Sequence, residues 1–215
     1  MASGFPVVIS PMWQWILNLF ARKSNSGPAP SLPSTSSPSN GNSKPEPTTK
    51  TIYPETRLTT PNKSQRKIRP EAIVLHHSGG SYNGGVSWIR NPTSKVSYHC
   101  LIARDGRRAV FGEDTDRTWH AGVSSWKGRK DLNSWSIGVS WEGDTYTYPL
   151  GEDAIESALD YIVPRMKKWG IPVNMVLDHR IVSEPRKNDI APIQYGVFIE
   201  RLIKRLKDDE KEEGK

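Results

Sequence analysis

The sequence predicts an α/β fold: a mixed central β-sheet flanked by helices, preceded by a disordered leader. Short apolar runs bounded by turn residues recur near 72–77, 97–103, 108–112, 136–142 and 173–178. Two other stretches carry apolar residues at helical spacing, near 152–169 and from Phe198 to Leu206. Strands that alternate with helices call for a sheet covered by helices.

Each element has a local reason. Ile73, Val74 and Leu75 form a continuous apolar run, as a strand buried on both faces requires. A short helix is expected around 85–91. Arg104-Asp105-Gly106 supplies the turn between the strands at 97–103 and 108–112. Ala154, Ile155, Ala158, Leu159, Ile162, Val163 and Met166 repeat at helical intervals up to Gly170, a residue suited to end the helix. Pro164 should kink that helix. Phe198, Ile199, Leu202, Ile203 and Leu206 mark a last amphipathic helix, and the charged tail 208–215 is expected to fray. The folded unit is expected at 69–207.

The remaining sequence is of another kind. Residues 24–68 are rich in Ser, Pro, Thr, Asn and Lys, a composition that cannot bury a core and should stay extended. Within 1–23, the apolar stretch 5–20 is short of the roughly 20 residues that span a bilayer. Its readings, in order, are an interfacial membrane helix, a short signal-anchor and a cleaved signal, with a disordered hydrophobic leader as the alternative. The net charge of +7 sits entirely in the first 70 residues, where nine Lys and Arg face two Asp and Glu. That bias suggests attraction to an acidic surface such as anionic lipid or cell-wall polymer. No basic helix or aromatic–basic interleaving of the nucleic-acid-binding kind is present. The single cysteine, Cys100, allows no internal disulfide. Nothing in the composition demands an oligomer, and a monomer is expected.

The chemistry gathers around histidine. The five are His76, His77, His99, His120 and His179, several of them at expected strand ends. Two imidazoles and one carboxylate can hold zinc and leave its fourth position open. Composition alone does not say which residues those are.

Five motifs narrow the choice: IVLHHSGG, SYHCLIARDGR, TWHAG, NSWSIGV and DHRIVSEPRKND, in this order. Together they resemble the zinc-dependent N-acetylmuramoyl-L-alanine amidases, a superfamily of phage amidase-type lysozymes, cytosolic anhydro-muropeptide amidases and animal peptidoglycan-recognition proteins. The resemblance spans about residues 70–207. It implies one zinc ion on His76, His179 and Asp189. It implies a catalytic Lys187 beside the metal, and a catalytic Tyr98 that orients water or bonds the intermediate. His77 should point to the opposite strand face. His120 and Trp119, in TWHAG, fall where the family lines its substrate groove, with a structural hydrogen-bonding role as the alternative for His120. The clustered Trp119, Trp126, Trp135 and Trp141 suit either glycan stacking or core packing.

The chain departs from one branch. Where the anhydro-muropeptide amidases carry a catalytic glutamate after SIGI, this chain has Ser140, with Glu142 two residues on. Tyr98, which that branch tends to lack, is present. The motifs therefore look closer to the phage and recognition-protein branch. The activity implied by the resemblance is that of a peptidoglycan amidase acting at the bacterial cell wall, with its export route open. The alternatives are a non-catalytic muropeptide-binding module, which loss of a zinc ligand would mark, and an amidase for soluble anhydro-muropeptides.

Overall fold

The computed structural model describes residues 51–214. The apolar leader and most of the Ser/Pro-rich stretch lie outside them. Ten strands occur among these residues: β1 (Glu55–Arg57), β2 (Lys63–Lys67), β3 (Ala72–His77), β4 (Cys100–Ile102), β5 (Arg108–Val110), β6 (Asp116–Thr118), β7 (Ser125–Trp126), β8 (Arg129–Lys130), β9 (Ser136–Trp141) and β10 (Val176–Asp178). The helices are α1 (Tyr82–Arg90), α2 (Glu152–Trp169) and α3 (Pro192–Glu213), with a single helical turn at His179–Val182.

Six strands form the central sheet in the order β1-β5-β4-β9-β3-β10. β4 and β5 run antiparallel across the expected turn, and the other neighbours are parallel. The expected mixed sheet is therefore present. Every residue of β9 is buried, as is all of β3 except His77. Register pairs His76 with Ser140 and His77 with Trp141. Because strand side chains alternate, His76, Ser140, Val74 and Gly138 share one face, and His77, Trp141, Leu75 and Val139 the other.

Helices α2 and α3 cover the His77 face. α2 buries the apolar set read from its spacing, continues through Pro164 and ends on Gly170, whose φ of 67° suits glycine. Trp141 packs edge-on against Phe198 with ring centroids 5.1 Å apart, and its indole N–H donates to the Ala154 carbonyl. Trp135 and Trp141 are thus core residues, 2% and 1% exposed. On the His76 face, α1 and the segments between β5 and β9 complete the core. α1 starts at Tyr82, earlier than expected, because the Ser81 hydroxyl caps its first turn.

Two expectations are corrected. The fold begins well before Arg69: β1 pairs with β5 and β2 with β6. Between them, Thr60 and Asn62 are buried. The Asn62 side-chain amide donates to the carbonyls of Ile89 and Asn91 and to Ser94 Oγ. Asn62→Ala would leave those buried acceptors short of a donor, at about 1–3 kcal/mol for the lost network. A denaturant midpoint unchanged by the substitution would return this segment to the linker. The second correction concerns the tail, which stays helical to Glu213 because Lys167 of α2 bonds Asp209 and Glu213. Among the described residues no helix is long and apolar enough to cross a membrane.

Candidate metal centre

Three distant parts of the chain meet at the carboxyl ends of β3 and β10. His76 comes from the end of β3. His179 follows β10 directly, in the helical turn capped by Asp178, whose carboxylate accepts the Arg180 N–H at 2.8 Å. Asp189 comes from the segment that leads into α3. One donor atom from each of His76, His179 and Asp189 lies within 4.8 Å of the others, and all three residues are buried.

The Asp189 segment is tied down at both ends. On one side the Ala121 carbonyl accepts from Ser183 Oγ at 3.2 Å and Arg186 Nη2 at 2.7 Å. On the other, Tyr146 donates its hydroxyl to the Asn188 carbonyl at 3.0 Å. Thr145 Oγ1 accepts the Ala191 N–H at 2.9 Å. His77, on the opposite strand face as expected, takes part in this second anchor: its Nδ1 accepts from the Thr145 hydroxyl at 2.8 Å. Burial lowers the His77 pKa, the direction that favours this accepting role. Sequence reasoning missed Thr145 and Tyr146, since nothing in their local pattern tells of a loop folded back on residues 188–191.

Hydrogen-bond polarity sets the charge in the centre. The Ser136 hydroxyl lies 2.6 Å from the Leu132 carbonyl, which can only accept. Ser136 Oγ therefore accepts from His120 Nε2, 3.3 Å away. His120 Nδ1 is then bare and accepts from His76 Nε2 at 3.1 Å. Burial holds both rings neutral, His120 well below its ordinary range and His76 at about 3. A neutral ring carries one N–H, so His76 Nδ1 presents a lone pair. His179 Nε2 faces the Ala121 carbonyl, which can only accept, at 3.2 Å, and so carries a hydrogen.

Both Nδ1 atoms face the same carboxylate. His76 Nδ1 is 3.2 Å from Asp189 Oδ2, and His179 Nδ1 is 2.9 Å from it. Three lone-pair donors packed in a buried pocket repel unless a cation lies among them. The two nitrogen–carboxylate separations also suit zinc: bonds of about 2.0–2.1 Å in a tetrahedron put neighbouring donors roughly 3.3 Å apart. The residues present fit the ion.

The other expected site residues take varied places. Tyr98 stands beside His76 with ring centroids 5.1 Å apart, and burial pushes its phenol pKa up, so it remains a neutral hydrogen-bond donor. Lys187 is exposed. Its ammonium is one of the charges that depress His76 and His77, after burial and nearer groups. His120 does not line an open groove: it is 5% exposed and lies behind His76. Trp119 is half-buried, and its indole N–H donates to Ser64 Oγ of β2 at 3.1 Å. Glu142 turns to the β4–β5 turn, where Oε2 accepts the Arg104 N–H at 3.0 Å. His99 is structural, accepting the Gly138 N–H at Nδ1 and donating from Nε2 to the Asp116 carbonyl.

Comparison with known proteins agrees with this geometry. A family profile described as N-acetylmuramoyl-L-alanine amidase matches residues 65–192. The 1,6-anhydro-N-acetylmuramyl-L-alanine amidase AmpD of Citrobacter freundii is 35% identical over 116 residues, which is 52% of this chain and 56% of that protein. The chain thus spans about half the length of the curated relatives it matches. Of solved structures, a selenomethionine AmpD derivative superposes with a TM-score of 0.60 at 24% identity, covering 70% of this chain and 95% of that one. A mutant endolysin from Bacillus subtilis superposes with a TM-score of 0.57 at 17% identity, covering 70% and 99%. At those identities the likeness is one of fold. Neighbours of both kinds share that fold, and the similarity to AmpD gives no preference to the phage and recognition-protein branch over the anhydro-muropeptide one. The profile covers more than half of the sequence, and the chain belongs to the N-acetylmuramoyl-L-alanine amidase family.

Proposed function

We propose that this chain hydrolyses the amide bond between the lactyl group of N-acetylmuramic acid and L-alanine of the stem peptide, with one zinc ion held by His76, His179 and Asp189. One observation carries the reading: two imidazole nitrogens and a carboxylate from distant parts of the chain converge in a buried site, with donor atoms within 4.8 Å of one another. A zinc ion there would lower the pKa of a water it binds from about 15.7 toward about 7 and polarise the scissile carbonyl.

The chain's own groups supply the rest. Lys187 brings an ammonium to the rim, where the tetrahedral oxyanion develops. Tyr98 offers a neutral hydroxyl beside His76 to orient the attacking water or bond the intermediate. Ser140, buried in register with His76, stands where a glutamate would offer a base, so Tyr98 and Lys187 are the nearest candidates for moving the proton to the leaving amine. All three metal-binding side chains are present, which argues against a module that only binds muropeptides. The similarity to AmpD favours soluble anhydro-muropeptide as a second substrate class beside polymeric peptidoglycan. The basic leader supports attraction to an anionic surface.

Digestion of purified peptidoglycan, followed by mass spectrometry, tests the bond. New L-alanine amino termini are expected, lost on chelation and regained with zinc. Cleavage at any other bond, or full activity after chelation, would overturn the reading.

A further inference from the structure

We propose that His120 is a positioning residue for the metal centre: it accepts the His76 Nε2–H and so delivers His76 Nδ1 to the ion as a bare lone pair. The proposal rests on the metal reading above and explains a residue that the sequence placed against substrate.

With a cation at His76 Nδ1, the chain of donors runs in one direction. It starts at a backbone carbonyl, Leu132 O, and each link fixes the next through Ser136 Oγ, His120 Nε2 and His120 Nδ1 to His76 Nε2. His76 and Ser136 are 0% exposed and His120 is 5% exposed, so bulk water does not compete for these protons. Reversal at any link would set two hydrogens or two lone pairs against each other.

Several elements hold the ring in place. The backbone N–H groups of His120 and Ala121 both donate to Asn133 Oδ1, at 3.0 and 2.7 Å. The ring lies close against β9 at Gly138. A Cβ on that residue would come within 2.5 Å of His120 Cγ and 2.8 Å of Nδ1. Glycine inside a buried strand weakens it and marks a close approach, and here the approaching group is the imidazole. Gly138 in turn donates its N–H to His99 Nδ1 at 2.9 Å. Packing alone would not require a ring whose two nitrogens are both engaged along the line leading to the ligand.

Partners of this kind commonly change metal affinity by about 10–100-fold when removed. Two measurements on the full chain test the role. Long-range proton–nitrogen NMR of the zinc-loaded wild-type protein at neutral pH should find the His76 proton on Nε2. Competition with a chromophoric chelator should show His120→Ala binding zinc about 10–100-fold more weakly. His120→Asn, whose amide oxygen falls near the position of the ring Nδ1 and can accept the same proton, should recover most of that loss. The proposal is overturned by a proton on His76 Nδ1, by wild-type affinity in His120→Ala, or by His120→Asn as weak as His120→Ala. Should His120→Ala fail to fold, the wild-type NMR measurement still decides the assignment. A wild-type chain that takes up no zinc would overturn the metal reading as well, whereas normal wild-type uptake with an unaffected His120→Ala overturns this proposal alone.

Discussion

His179→Ala is expected to lose zinc and amide hydrolysis together while the fold survives. The substitution removes one of the three donors and leaves His76 and Asp189, too few to hold the ion in an open tetrahedral site. The surroundings tolerate the change because the Ala121 carbonyl, which accepts from His179 Nε2, keeps its bonds from Ser183 Oγ and Arg186. The several kcal/mol of charge stabilisation that such an ion supplies correspond to roughly a thousandfold or more in rate, at about 1.36 kcal/mol per tenfold. Emission spectrometry for zinc, with chromatographic turnover of a muropeptide, measures both quantities on one sample. A variant that retains one zinc per chain, or a tenth of the wild-type rate, would remove His179 from the centre.

This centre was legible in sequence because its side chains sit in motifs whose order and identity are distinctive, even though 113 residues separate His76 from Asp189. The central strands were legible for a simpler reason. β3 is buried on both faces as far as His76 and runs apolar from Ala72 to Leu75 without a break. The edge was not. β2 reads Lys-Ser-Gln-Arg-Lys, a solvated run with no alternation, and becomes a strand only by pairing with β6. Its ion pairs to Asp116, from Lys63 and Lys67, join residues some 50 positions apart, beyond the reach of any local pattern. The same holds for the tail, whose charges suggest fraying until Lys167 is seen beside them.

His120 shows a different limit. A motif reveals that a residue is near the site without revealing on which side of the ligand it lies. TWHAG implied a place in the substrate groove, whereas the ring is buried against His76 Nε2, away from the carboxylate that faces Nδ1. The clue available in sequence was Gly138: a glycine within Ser136-Ile137-Gly138-Val139, in the middle of an apolar strand, points to a bulky neighbour pressed against the backbone. Glu142 shows the converse. Strand alternation put it on the face of Ser140, yet β9 ends at Trp141, and beyond the last strand pair the alternation no longer governs direction.

Lys187→Ala should separate chemistry from metal binding. The side chain is exposed and forms no ion pair among the described residues, so its removal costs the fold little. The neighbouring backbone is held independently of it, by Arg186 to Ala121 and Val123 and by Tyr146 to Asn188. Asp189 should therefore keep its position, and zinc content should stay at one per chain. On the proposed mechanism, what is lost is a positive charge at the rim of a site where negative charge grows only as the tetrahedral intermediate forms. An interaction realised in the transition state and absent from the ground state lowers kcat with little change in KM. Loss of one such donor commonly costs about 10²–10³ in kcat. Lys187→Arg retains charge on a larger planar group and should recover only part of the rate. Steady-state kinetics on one defined muropeptide, with zinc content measured alongside, distinguishes the cases. A kcat within threefold of wild type in Lys187→Ala would exclude the ammonium from the reaction, and a parallel loss of zinc would assign it to holding the metal loop instead.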